Sequence, residues 1–208
     1  MRNTPLVVGE FYHIYNRGAD KRTVFQDEKD YQRFLKSLRE FNAIKPIGSI
    51  FENSFRKSKK KTDPLVCVVA YCLNPNHYHL ILKQVSENGI YKFMQKVGNG
   101  YTKYFNERHK RSGVLFQGGF KSVYIESDEQ LFYLSSYVNY NYVVHRLGHS
   151  MSKSSRDEYE GVIKVEDRMC DASILADKIK NPEKYKNDSI EVVINIREKR
   201  KYGDLLFE

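Results

Sequence analysis

His77-Tyr78-His79 is the sharpest chemical feature of the chain. On a β-strand, residues two apart project from the same face. Two imidazoles would then point the same way, close enough to grip one metal ion. Histidine is a common metal ligand, and a mononuclear site needs a third ligand and open positions for substrate. A His-x-His pair on a strand can equally be packing or surface. Tyr137 and Asn141 form the second feature, four apart in a helical pattern and so one turn apart on one side. A phenol beside a metal can attack phosphorus once coordination or a nearby base activates it. Asn141 offers a hard amide oxygen suited to Mg²⁺ or Mn²⁺. The pattern alone does not choose among Tyr133, Tyr137, Tyr140 and Tyr142, and an aromatic-rich helix is also what core packing produces. His13, His109, His145 and His149 show no metal spacing, and His13 reads as a hydrogen-bonded strand histidine. Cys67 and Cys72 fall in an apolar strand and read as core; with Cys170 they make neither a zinc site nor a disulfide framework.

The elements that must hold these groups follow from the patterning. Phe11 to Tyr15 is aromatic and β-prone, and Asn16-Arg17-Gly18 ends it. Asp27 is an N-cap, and Tyr31, Phe34, Leu35 and Leu38 predict a helix over about Glu28 to Asn42. Ala43 to Pro64 loses its pattern and carries Arg56-Lys57-Ser58-Lys59-Lys60-Lys61, a basic loop that is either solvated or a phosphate-binding arm. Leu65 to Leu73 reads as a strand covered on both faces. Asn74-Pro75-Asn76 turns the chain into a second strand, His77 to Lys83. A helix runs over about Asn88 to His109, weakened locally by Gly98 and Gly100. A fourth strand follows at Phe120 to Glu126. Ser127 and Gln130 form a capping-box pattern that opens a helix to about Arg146, closed by Leu147-Gly148. Its expected buried stripe is Leu131, Leu134, Val138, Tyr142 and His145, with Tyr137 and Asn141 on the flank.

The order β-α-β-β-α-β-α predicts an α+β fold. Its core is a ferredoxin-like (RRM-like) βαββαβ antiparallel sheet with both helices on one face. The added helix after the fourth strand is free to pack near the open face. Residues 1–150 are expected to form the catalytic body, with the basic loop at about 43–64. Residues 151–208 are expected to form a C-terminal tail with helical patterns near Asp171 to Lys180 and Ile190 to Lys201.

Charge and composition narrow the function. The 208 residues carry a formal net charge of +9, with 40% hydrophobic and 29% charged residues, which excludes wholesale disorder. Through Tyr124 there are 22 basic and 10 acidic residues; from Ile125 onward there are 13 and 16. A basic body points toward a polyanion. No apolar run approaches the ~18 residues that span a bilayer, and Met1 to Glu10 lacks the apolar stretch of a signal peptide. The expectation is a cytoplasmic chain with no membrane partner.

Leu73-Asn74-Pro75-Asn76-His77-Tyr78-His79-Leu80 resembles the His-hydrophobic-His signature of the HUH single-strand endonucleases, in its transposase form. Tyr137, Val138 and Asn141 resemble that family's tyrosine motif, usually Tyr-(Ile/Val)-x-x-Asn-Pro. Tyr12 to Gly18, Tyr104 to His109 and Leu115 to Ser122 look familiar in the same way. The resemblance covers roughly Gly9 to Gly148 and is nearest to the REP-associated, single-tyrosine (insertion-sequence-200-like) transposases. Tyr142 replaces the usual proline, Asn74 stands where methionine is common, and the chain has no tryptophan. These departures touch DNA contacts and tail packing rather than the reacting groups.

The resemblance implies that His77, His79 and Asn141 hold a divalent metal, Mg²⁺ or Mn²⁺, and that Tyr137 is the nucleophile. It implies cleavage and rejoining of single-stranded DNA near hairpins through a 5′-phosphotyrosine, in a bacterial or archaeal cytosol at the nucleoid. Attack by a 3′-hydroxyl reverses the step, so no nucleotide cofactor is needed, in keeping with the lack of a Gly-rich phosphate loop. Arg17, Lys21, Arg22, Arg108, Lys110, Arg111 and Lys121 flank the proposed site and are the expected DNA-binding residues. The alternatives are a replication-initiator or relaxase type of HUH nuclease, a catalytically silent DNA- or RNA-binding module, and a structural zinc protein. The sequence leaves open the DNA sequence recognised, the choice between monomer and homodimer, and the role of the tail.

Overall fold

Alternating and helical patterns translate into a five-stranded antiparallel sheet in the order β4-β1-β3-β2-β5. The computed structural model describes residues 5–55, 63–147 and 151–201. The basic run from Arg56 to Lys61, the Gly148 stop and His149 lie outside the described residues. The strands are β1 (Phe11–Arg17), β2 (Val66–Asn74), β3 (His77–Gln84), β4 (Lys121–Ile125) and β5 (Lys153–Ser154). The main helices are α1 (Glu28–Glu40), α3 (Gly89–Arg108), α4 (Asp128–Asn139) and α7 (Pro182–Lys201), with short turns α2 (Ile50–Ser54), α5 (Asn141–Val144) and α6 (Arg156–Tyr159). The first four strands carry the expected ferredoxin-like order, and β1 pairs with both β3 and β4.

Because strand side chains alternate, the sheet has two distinct faces. Tyr12, Ile14, Tyr78, Leu80 and Leu82 share one face, and Phe34 of α1 meets Tyr78 ring to ring at 5.2 Å. Tyr101 of α3 joins that aromatic cluster through Phe34, 5.0 Å between centroids. The other face carries His13, Tyr15, His77 and His79 in register, with Tyr15 opposite His79 and Arg17 opposite His77. Helix α4 packs across β2 and β3 on this face.

Local chemistry fixes the element ends. Asp27 caps α1 by accepting from the amides of Lys29 and Asp30. Ser127 caps α4 through Gln130 N at 3.2 Å, but the Gln130 side chain reaches back to Glu126 N, so the box closes one residue early. Gly100 sits where a Cβ would come within 2.7 Å of the Phe41 ring, a close approach that explains a glycine inside α3.

Three expectations are corrected. The patternless stretch after Ala43 contains α2, because Ser49 and Glu52 form a reciprocal capping box. The helix expected to reach Arg146 breaks at Tyr140. There the Asn139 carbonyl is taken by Ser154 Oγ at 2.9 Å, and Ser135 and Ser136 both bond back to Phe132 O within the preceding turn. In the tail, Ala172–Leu175 is only a 3-10 turn, whereas α7 starts well before Ile190. Asn181 accepts from the amides of Glu183 and Lys184, and Pro182 stands at the first helical position.

Residues 151–201 lie against the sheet and α4. β5 extends the sheet beyond β2, Tyr159 Oη donates to Val69 O, and α7 packs on α4 and α5. A buried polar clamp joins these parts. Asn139 Nδ2 donates to Tyr185 Oη at 2.7 Å, Ser155 Oγ donates to Asn139 Oδ1, and Ser189 Oγ donates to Ser136 Oγ at 2.9 Å.

Candidate active site

The β2–β3 hairpin brings the histidine pair to its place. The Pro75 carbonyl accepts from Val24 N and Phe25 N, and Gly18 N donates to Asn76 O at 2.8 Å. Gly18 is required by this close stitching, since a Cβ there would lie 2.2 Å from Arg22 O. His77 and His79 are buried and sit T-shaped to each other, with centroids 5.1 Å apart.

Each histidine has a neighbour that sets its ring. His77 Nδ1 lies 2.6 Å from Asn76 Oδ1, an acceptor, so Nδ1 carries the proton and Nε2 the lone pair. That Nε2 lies 2.9 Å from Asn74 Nδ2. His79 Nδ1 lies 2.9 Å from His13 Nε2. Burial pushes His13 down to about 4, so it is neutral near pH 7. A proton on His79 Nδ1, donated to His13, leaves His79 Nε2 with a lone pair for a metal.

Two further groups converge. His145 meets the His77 ring at 4.7 Å, and one ring nitrogen from each of His77, His79 and His145 lies within 4.8 Å of the others. Asn141 Oδ1 accepts from Asn74 Nδ2 at 2.6 Å. The Asn74 amide therefore collects lone pairs from both His77 and Asn141. Asn141 Nδ2 is buried without a hydrogen-bond partner among the described residues. Three imidazole nitrogens and an amide oxygen are a donor set that suits a divalent cation, so the residues present fit the expected metal.

Tyr137 is 1% exposed and presents its ring edge-on to His79 at 5.5 Å and to His13 at 6.2 Å. Both Tyr137 and Asn141 are buried, with Tyr137 inside α4 and Asn141 beyond the break at Tyr140. Tyr140 Oη donates to Glu160 at 2.6 Å, and Tyr142 Oη accepts from Arg156 at 3.0 Å. Those two tyrosines are committed to the tail side.

A small cavity of about 50 Å³ opens beside the histidines, lined by Tyr15, Arg17, His77, His79, Gln117 and Lys121 among others. Lys121 Nζ sits 5.7 Å over the Tyr15 ring. Arg17 and Lys121 are thus gathered at the site. Lys21 is exposed on the following loop, next to Arg22, which pairs with Asp20 at 2.9 Å. Arg108 and Arg111 are occupied internally. Arg108 Nη1 donates to Asp27 at 2.8 Å and Asp30 at 2.6 Å, and Arg111 donates to Asn106 Oδ1 at 2.6 Å and Val114 O at 3.0 Å. Lys110 is exposed just beyond α3.

His145, Asn74 and His13 are the neighbours that sequence reasoning missed. A signal for His145 existed, since Tyr137, Asn141 and His145 follow one another at four-residue spacing. His13 and Asn74 join only through strand register, with Asn74 opposite His77.

Residues 8–141, more than half of the chain, match the family model described as "Transposase IS200 like". A search of curated proteins finds no match. Among solved structures, the chain is similar to a REP-associated tyrosine transposase bound to a REP hairpin, with a TM-score of 0.54 and 14% identity. The match covers 83% of this chain and 92% of that one, and it supports the fold. No helix among the described residues is long and apolar enough to cross a membrane.

Proposed function

From the premise that this chain belongs to the IS200-like transposase family, we propose that it is a metal-dependent, single-tyrosine enzyme that cuts and rejoins single-stranded DNA beside hairpins. The observation that carries this reading is the convergence of His77, His79 and His145 nitrogens within 4.8 Å, with the Tyr137 ring edge-on to His79. His77, His79 and the Asn141 oxygen or His145 would hold Mg²⁺ or Mn²⁺. Such an ion, when bound, supplies charge stabilisation at the scissile phosphate.

The chain's own residues do the rest. The Tyr137 phenolate attacks phosphorus, the bond from Tyr137 Oη to phosphorus forms, and the bond to the 3′ oxygen breaks. The phenolic proton leaves to a base, and the departing 3′ oxygen takes one up. The product is a 5′-phosphotyrosine with a free 3′-hydroxyl, and a 3′-hydroxyl attacking in reverse joins strands with the phosphodiester energy conserved. Arg17 and Lys121, lining the cavity at the histidines, would take phosphate oxygens. Lys21, Arg22 and Lys110 would extend that contact over the neighbouring surface. The hairpin in the similar solved structure suggests hairpin-bearing DNA as the partner.

Calorimetric titration with Mn²⁺, paired with cleavage of hairpin DNA drawn from sequence flanking the gene, tests the reading. We expect one bound ion per chain, and loss of both binding and cleavage in His77→Ala and His79→Ala. Cleavage by wild type at full rate in the presence of a chelator would overturn metal dependence. A protein that binds the hairpin tightly but never cuts it would favour the non-cleaving module.

A further inference from the structure

A groove of about 580 Å³ lies on the α3 side of the sheet, between α3 and the segment from Val114 to Phe120. It meets the small cavity at His77 and His79 at one end of the sheet, where Asn16 and Tyr78, paired on the α3 face, line both. One wall is a stripe on α3: Tyr91, Gln95, Asn99 and Lys103, each four residues from the next and all exposed. The stripe is about 18 Å long at 1.5 Å per residue. That length matches about five stacked nucleotides at 3.4 Å each. The other wall carries exposed Val114 and partly buried Phe120, with Gly118 and Gly119 beside them. A Cβ at either glycine would meet nothing within 4 Å, so the wall is open there.

The stripe is chemically specific. Gln95 and Asn99 present amides, whose paired donor and acceptor match nucleobase edges. Tyr91 presents a half-exposed ring on which a base can stack. Lys103 presents an ammonium for a phosphate. None of these four side chains is used in a hydrogen bond or ion pair among the described residues, and no carboxylate of those residues lines the groove. An idle row of aromatic, amide, amide and cation in a wall without acids fits a polyanion with readable edges.

We propose that this groove seats the unpaired DNA arm leading to the scissile phosphate, and that Gln95 and Asn99 are the residues that read its base sequence. The inference deepens the single-strand reading of the site and rests on it. Tyr91 acts as a stacking platform and Lys103 as a backbone anchor.

The test uses the full chain and a hairpin with five randomised unpaired nucleotides beside the cleavage point. Cut products are sequenced for wild type, Gln95→Ala and Asn99→Ala. A second readout measures anisotropy of the same arm as a labelled oligonucleotide, without metal, where no cutting can occur. Each amide variant is expected to lose about ten-fold of base preference at one position of the arm. Tyr91→Ala is expected to weaken arm binding about ten-fold whatever its sequence. Variants that keep the wild-type preference and the wild-type arm affinity would overturn the proposal while leaving the cleavage chemistry intact. If wild type never cuts, the chemistry fails by itself, and loss of arm binding in Gln95→Ala and Asn99→Ala still supports the groove. Tighter binding of the same arm made as RNA than as DNA would overturn the choice of ligand.

Discussion

His79 faces the centre of the site with His13 behind it, and this contact decides which of its nitrogens is available. The two imidazoles face each other nitrogen to nitrogen across 2.9 Å, and the arrangement that suits a metal puts the proton between them on His79 Nδ1. Removing His13 deletes the group that fixes both ring orientation and tautomer. His13→Ala should therefore weaken Mn²⁺ binding about 10–100-fold in calorimetry, with the fold retained by circular dichroism. Unchanged affinity would make His13 plain packing. Single residues were readable where their chemistry is local. His77 and His79 stand at a spacing that a strand converts directly into a shared side, whereas Tyr137 and Asn141 lie on either side of the break at Tyr140. His13 and Asn74 were not readable, because only the pairing of β1 and β2 with β3 brings them to the histidines. His145 was hidden by its place on the expected buried stripe.

At the scale of elements, α4 and the tail form one unit. Helix α4 carries Tyr137, and two residues further on Asn139 hands its amide to Tyr185 and its carbonyl to Ser154. The break at Tyr140 follows from that commitment, and it turns Asn141 and His145 toward the histidine pair. Tyr185→Phe removes the hydroxyl that accepts from Asn139 and leaves a buried amide donor unsatisfied, at a cost of about 1–3 kcal/mol. The expected result is a lower unfolding midpoint in urea, accompanied by slower cleavage as α4 loosens. A destabilised variant with wild-type cleavage would show that the clamp serves stability alone. The sequence displayed the start of α4 through Ser127 and the start of α7 through Asn181-Pro182. It did not display the kink, since hydrogen bonds from a strand far along the chain produce it.

Across the whole molecule, the fold order was legible because each element carries its own period and stop signals. The basic surplus was legible too, but its division of labour was not. Arg108 belongs to the fold: it joins Asp27 at the start of α1 to buried Asp30. It also holds the Asp27 carboxyl at about 2, below its ordinary 3.8. A depressed carboxylate contributes stability that is present above its ordinary value and fades as the pH falls from about 3.8 toward about 2. Arg108→Ala should lose that contribution, so acid unfolding begins at higher pH and Tm falls by several degrees at neutral pH, while DNA affinity changes little. Lys121→Ala should do the reverse, keeping Tm and reducing the salt slope of DNA binding by about one. If Arg108→Ala instead changes the salt slope and not the stability, the assignment of the two cations is inverted.

The proposed reaction joins Tyr137 covalently to DNA at a metal-loaded site. Its most direct measurement is adduct formation on a denaturing gel, using end-labelled single-stranded hairpin DNA from the gene's flanks, with and without Mn²⁺. A slower-migrating, protease-sensitive adduct is predicted for wild type with Mn²⁺, absent with chelator and absent in Tyr137→Phe. An adduct that persists in Tyr137→Phe would rule out Tyr137 and move the nucleophile to another tyrosine.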